Sequence, residues 1–216
     1  MPRYRAAVPS PALSSPATTG GPSPAATRRP RTWALASAVA APVGMIGGWT
    51  LAAALQPGFD AVRATISELA TAAVAHPGVM TAGLLATGVA HLVTAAGLRG
   101  VPAAGRVLLA IGGAGTAAVG LLPVDLVPAA HGVAAGVGFG ALALWPLAAT
   151  RRQGPRALRP AVTVTASGVL LALLAWFVVE LTGGGDHVGL SERVVAGAQS
   201  VAPLLLVLAL RRAPRP

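Results

Sequence analysis

Six apolar stretches, each about as long as a helix needs to cross a hydrocarbon layer, run through this chain with only short links between them. Inside lipid every backbone polar group must be bonded within the protein, so the fold open to such a chain is a bundle of spanning helices. The expected fold class is all-α: a polytopic membrane protein with six transmembrane helices. By length, the spans fall near residues 33–55, 79–98, 107–126, 129–150, 161–182 and 194–210. Composition supports this. With 54% hydrophobic and 10% charged residues in 216, there is too little polar surface to cover a water-soluble globule.

Charge is sorted by link. The basic residues are all Arg and gather in the amino terminus (Arg3, Arg5, Arg28, Arg29, Arg31), the second link (Arg99, Arg106), the fourth link (Arg151, Arg152, Arg156, Arg159) and the carboxyl terminus (Arg211, Arg212, Arg215). Those segments contain no Asp or Glu. The first, third and fifth links with their span edges hold Asp60, Glu68, Asp125, Glu180, Asp186 and Glu192, with only Arg63 and Arg193 of opposite sign. Arg in short loops stays on the cytoplasmic side, so both termini are expected there. The net charge of +10 follows from these juxtamembrane clusters. They lack interleaved aromatics, so no nucleic-acid partner is expected, whereas contact with anionic lipid headgroups is. The absence of Cys excludes disulfides and thiolate metal sites. An excess of Ala, Gly, Pro and Arg with no Lys suggests a GC-rich bacterial genome, and with it a multi-pass protein of the bacterial cytoplasmic (inner) membrane.

Residues 1–31 are rich in Pro, Ser, Ala, Thr and Gly, cannot bury enough area to offset their ordering entropy, and read as a disordered cytoplasmic tail. Residues 32–210 form the six-helix domain, and 211–216 a cytoplasmic basic tail. The third and fourth spans share a tight hairpin around Pro123, Val124, Asp125 and Pro128; reading five spans instead would put an Arg cluster on the outer side. Trp33 and Trp145 lie toward the inner ends, where interfacial anchoring is expected, and Trp49 and Trp176 sit deeper, where packing is. Gly132, Gly136 and Gly140 repeat every four residues, as do Gly44 and Gly48, a spacing that lets helix backbones approach. Packing within one chain is preferred over a dimer face, and oligomeric state stays open. Pro42, Pro146 and Pro203 fall inside spans and predict kinks.

The first outer link carries a pattern of its own. Phe59, Val62, Ile66 and Leu69 recur at three and four residues, which predicts a short amphipathic helix on the outer surface. Asp60, Arg63 and Ser67 would share its other face, with Asp60 either capping or functional and Ser67 able to bond back to the Arg63 carbonyl. Asp125 ends the third span and His131 opens the fourth. Gly183-Gly184-Gly185-Asp186-His187 makes a flexible turn, and Gly189-Leu190-Ser191-Glu192-Arg193 leads into the sixth span. Each alone has a bland explanation as turn former, interfacial group or solvated helix start. Together, four polar features converging on one face mark a site.

Three of these segments resemble the bacterial membrane family called domain of unknown function 998. They are Thr65-Ile66-Ser67-Glu68-Leu69; Leu122-Pro123-Val124-Asp125 with His131-Gly132-Val133-Ala134-Ala135; and Gly189-Leu190-Ser191-Glu192-Arg193. The resemblance runs from about residue 33 to 210 and includes their order and spacing. It implies the six-span fold and no established reaction.

Three function classes remain open on sequence. In the first, a membrane enzyme uses Asp125 and His131 as an acid/base pair on a lipid or isoprenoid substrate, by hydrolysis or acid-initiated cyclisation. Ser67 and Glu192 are further catalytic candidates, and Asp60, Arg63 and Arg193 are candidates for substrate binding. In the second, a metal-dependent hydrolase loosely similar to the ceramidase-like superfamily, the histidines are too few. His91 lies about 18 Å deep by helix rise and His76 sits in a loop, so no metal and no cofactor are expected. In the third, the protein is a non-catalytic scaffold, sensor or transporter component, and Arg63 and Arg193 clamp Asp60, Asp125 and Glu192. Transport is disfavoured, because His91 is the only ionisable group deep in the bundle and no internal repeat is evident. No phosphate-binding loop, dinucleotide fingerprint or Gly-x-Ser-x-Gly motif decides among them.

Overall fold

The computed structural model describes residues 30–213. Over these residues the chain is all-helical, with six helical runs long and apolar enough to cross a membrane. Most of the tail at residues 1–31 lies outside the described residues.

The first span runs from α1 (Thr32–Pro42) through a π-helical turn at Val43–Gly47 into α2 (Gly48–Ala54). Pro42 has no N–H to donate, and the backbone accommodates it by widening the next turn, a common response to proline within a span. The remaining spans are α3 (Pro77–Gly97), α4 (Ala103–Leu121), α5 (Pro128–Ala148), α6 (Pro160–Gly183) and α7 (Val188–Arg212). Proline sets several starts: Pro77, Pro128 and Pro160 stand at first helical positions, where the missing N–H costs nothing.

Two boundaries differ most from the sequence reading, by five and six residues. The third span ends at Leu121 rather than near 126, since Pro123 drives Leu122 out of the helical region. The sixth begins at Val188 rather than 194, and so takes Ser191, Glu192 and Arg193 into its first two turns. At its other end α7 includes Arg211 and Arg212, and Arg211 donates to the Pro30 carbonyl at 3.1 Å. That bond ties the start of the first span to the end of the last at the basic end of the bundle.

Lipid tails are as apolar as leucine, so close packing rather than hydrophobic drive holds such helices together. Glycines supply that closeness. A Cβ on Gly88 would lie 2.5 Å from the Gly113 carbonyl, joining α3 to α4, and one on Gly115 would lie 2.7 Å from the Gly138 Cα, joining α4 to α5. Gly44 and Gly48 meet Gly83 in the same way. The stripe on α5 does not: Cβ atoms on Gly132, Gly136 and Gly140 would meet nothing within 4 Å. The packing expected for that stripe within one chain is therefore absent among the described residues. Trp145 also departs from expectation, being buried in the core at the basic end with Leu98, Leu109, Leu158 and Val207 instead of anchoring at an interface.

Candidate functional site

The first link, 55–76, brings the acidic end together, although it is not the amphipathic α-helix its periodicity suggests. It is a string of turns closing on a 3₁₀ turn at Ser67–Ala70. Pro57-Gly58, with Gly58 at φ +72°, breaks any continuation of α2. Asp60 then folds the backbone locally: its carboxylate accepts the Val62 N–H at 2.9 Å and the Arg63 N–H at 3.3 Å. Those two backbone bonds, reinforced by Arg63, hold the Asp60 carboxyl below the usual carboxylate range. Thr65 and Glu68 cap the 3₁₀ turn reciprocally. Thr65 Oγ1 accepts the Glu68 N–H at 3.2 Å, and Glu68 Oε1 accepts the Thr65 N–H at 2.9 Å. Of the four periodic apolar residues, Ile66 and Leu69 are buried and Val62 is exposed.

The link stays irregular because α7 engages its backbone. Arg193 Nη1 donates to the carbonyls of Ala61 and Ala64 at 2.8 Å each and to Gly189 at 2.9 Å, with its guanidinium 5.5 Å from the Phe59 ring centre. The Glu192 carboxylate accepts the Ile66 N–H at 2.5 Å, and Leu190 N–H donates to the Val62 carbonyl at 2.9 Å. Gly189 permits the approach, since a Cβ there would collide with the Ala61 and Ala64 carbonyls. Groups that a helix would bond internally are thus bonded to the last span. Replacing Arg193 by Met should cost about 2–3 kcal/mol, the scale for lost bonds to a charged donor. It should lower the thermal midpoint in detergent and speed tryptic cleavage after Arg63; an unchanged cleavage rate would mean that the staple does not hold the link.

The expected clamp of Arg63 and Arg193 against Asp60, Asp125 and Glu192 forms only at Arg63. It pairs with Asp60 at 3.2 Å and with Asp186 at 3.1 Å, all three exposed; these carboxylates raise the guanidinium's proton affinity further. Arg193 pairs with no carboxylate among the described residues. Neighbours in a helix face different ways, so Glu192 and Arg193 grip separate parts of the link.

His131, in the first turn of α5, makes the contact with the clearest chemical meaning. Its Nε2 lies 2.9 Å from Ser67 Oγ, and its Nδ1 lies 2.6 Å from the Leu122 carbonyl oxygen. A carbonyl only accepts, so Nδ1 carries a proton; in the neutral ring Nε2 then presents its lone pair and the Ser67 hydroxyl donates to it. Ser67 therefore bonds to His131 and not back to Arg63. The expected Asp125–His131 pairing is replaced: Asp125 accepts the Ala72 N–H at 3.2 Å and so holds the first link against the third. The reason is the early end of α4, which leaves the Leu122 carbonyl free to take the imidazole.

Beneath Ser67 lies a narrow cavity of about 40 Å³ between α3, α4, α5 and α7. Ser67, Ile66 and Glu192 line its top, Thr116 and Ser200 its walls, and His91 and Gln199 its depth. Gln199 and Thr116 were not singled out from sequence, although a glutamine in mid-span is itself a functional signal in a membrane. Among the described residues no group of three or more His, Cys, Asp or Glu side chains is arranged to hold a metal ion.

Residues 38–209 match a family model described as a protein of unknown function (DUF998). No curated protein and no solved structure matches the chain.

Proposed function

The chain belongs to the DUF998 family of membrane proteins, and from the geometry at its acidic end we propose that it is a membrane-embedded hydrolase or acyltransferase acting on a lipid ester or amide. The observation that carries this reading is the Ser67–His131 pair at 2.9 Å, with the imidazole fixed from behind by the Leu122 carbonyl. A hydroxyl bonded to a base that a third group orients is the arrangement nucleophilic catalysis needs. Ser67 Oγ attacks the substrate carbonyl as His131 Nε2 takes its proton, and the same imidazolium then protonates the departing alcohol or amine. The rest of the cluster positions. Glu192 and Arg193 fix the link that carries Ser67, and Asp125 holds the two links together. Asp60 and Arg63, both exposed, form the rim where a polar headgroup would lie.

Of the two substrate classes open on sequence, an acyl lipid fits better than an isoprenoid. Cyclisation requires the whole chain to be enclosed, and a cavity of about 40 Å³ is far below the roughly 300 Å³ or more of typical ligand pockets. An acyl lipid needs only its ester at Ser67, its tails remaining in the bilayer beside exposed Val133 and Val137 on α5. The scaffold alternative rests on the Glu192–Arg193 staple, which accounts for the position of the link but gives no role to a polarised Ser–His pair.

Labelling tests the reading. A fluorophosphonate probe applied to membranes containing the native chain should form an adduct that maps to Ser67; labelling of no serine, or only of others, overturns it. The acidic end is assigned to the outer face of a bacterial cytoplasmic membrane, with both termini inside, on the strength of the Arg distribution. An outside-active reporter fused after His187 should therefore give signal, and one fused after Gln153 should not; the reverse pattern would move the site to the cytoplasmic face.

A further inference from the structure

The cavity below Ser67 has polar atoms with no protein group to bond. His91 is 1% exposed, about 21 Å along α3 from Pro77 by helix rise, and among the described residues neither of its ring nitrogens has a partner. Gln199, also 1% exposed, donates from Nε2 to the Phe139 carbonyl at 3.0 Å and leaves its Oε1 unpartnered. Both residues line the same slot, His91 from α3 and Gln199 from α7, and Thr116 of α4 lines it as well. Buried donors and acceptors are seldom left unmet, because each costs about 1–3 kcal/mol. A void needs only about 10–15 Å³ to seat a water that can bond two or more such groups. This one is larger, and three orphaned atoms belong to residues that line it.

We propose that this slot holds a short file of waters from His91 and Gln199 up to Ser67, and that these supply the water for the hydrolytic half-reaction. The proposal rests on the Ser67–His131 reading. A hydrolase whose acyl lipid arrives from the bilayer faces a problem of supply, since the substrate covers the nucleophile from the lipid side and shuts out bulk water. Ser67 lines the slot as well as bonding His131, so a water at its top reaches the acyl carbon from the side opposite the tails. The step balances without a further reactant. Water oxygen attacks the Ser67 ester carbon while His131 Nε2 takes one water proton; the tetrahedral adduct collapses, breaking the Ser67 Oγ–C bond. His131 returns the proton to Oγ, and a carboxylic acid leaves. The waters below refill the position.

Plugging the slot should separate acylation from deacylation. Ala196 lines it on α7, one turn below Glu192, and touches neither Ser67 nor His131 by hydrogen bond. With a p-nitrophenyl acyl ester in lipid nanodiscs, Ala196→Leu should keep the initial burst, lower steady turnover by about tenfold or more, and accumulate acyl-Ser67 visible by mass. Unchanged turnover, or equal loss of burst and turnover, would overturn the proposal. Hydration has its own readout that needs no substrate and no variant. Magnetisation should pass from water to the His91 ring protons as it does to those of exposed His76, and no transfer to His91 would mean that the slot is dry. If no adduct forms on Ser67 even in the native chain, the nucleophile reading fails along with the deacylation role, and magnetisation transfer from water to His91 still decides whether the slot holds water.

Discussion

Ser67→Ala and His131→Asn should each lower lipid-ester hydrolysis by about 10³-fold or more, and combining them should cost little beyond either alone, because a nucleophile and its base act as a unit. Ser67→Ala removes one hydroxyl, so its yield and thermal midpoint in detergent should stay near native; His131 is buried and bonded at both ring nitrogens, so His131→Asn should also lose about 1–3 kcal/mol without preventing assembly. Asp125→Asn separates the two ways of reading the cluster. Its amide oxygen still accepts from Ala72 N–H, so a Ser67–His131 pair predicts activity within a few-fold of native. Loss as severe as that of His131→Asn would make Asp125 the partner of the histidine after all and displace Ser67 as nucleophile. Glycerophospholipid and acyl-amide release measured over this series is the deciding experiment.

The second large effect concerns the bundle itself. Gly88→Leu places a Cβ 2.5 Å from the Gly113 carbonyl and 2.7 Å from the Ala117 amide nitrogen, both backbone atoms that cannot move without shifting α4. The variant should lose about 3 kcal/mol or more, or fail to assemble. Gly136→Leu, on the open stripe of α5, should stay within about 0.5 kcal/mol of native as a monomer. Thermal unfolding of both in one detergent makes the comparison. Equal destabilisation would mean that the α5 stripe is covered by something within the chain; loss of a larger species on size exclusion would instead identify a second copy.

Span number and the meeting of the acidic links could be read in the sequence because each rests on a strong physical constraint. Helix length follows from bilayer thickness, and links of alternating charge fall at opposite ends of an up-and-down bundle. The first link misled for a physical reason. The spacing of Phe59, Val62, Ile66 and Leu69 satisfies a helix, yet it was competing with a distant guanidinium and carboxylate for the same carbonyls and amide, and that competition has no local signature. The capping pattern of Thr65 and Glu68 was locally visible and marks the turn that does form. His131 and Ser67 both stood out from sequence, but not as partners of each other. Asp125 is closer along the chain, and only the early end of α4 at Leu121 shows why the Leu122 carbonyl, with Ser67 opposite, takes the ring.

The staple between Gly189–Arg193 and the first link also orders events during synthesis. Ser67 and His131 leave the ribosome long before residue 189 does, so for much of translation the link has no guanidinium for its Ala61 and Ala64 carbonyls and no carboxylate for its Ile66 amide. Ser67 is locked in place only when the last span enters the lipid. A nascent chain, or one cut short before Gly189, would sit in the membrane with Ser67 on an unset loop, inert toward the bilayer that surrounds it. Under the proposed hydrolase reading, completion of the polypeptide would then serve as the activation step.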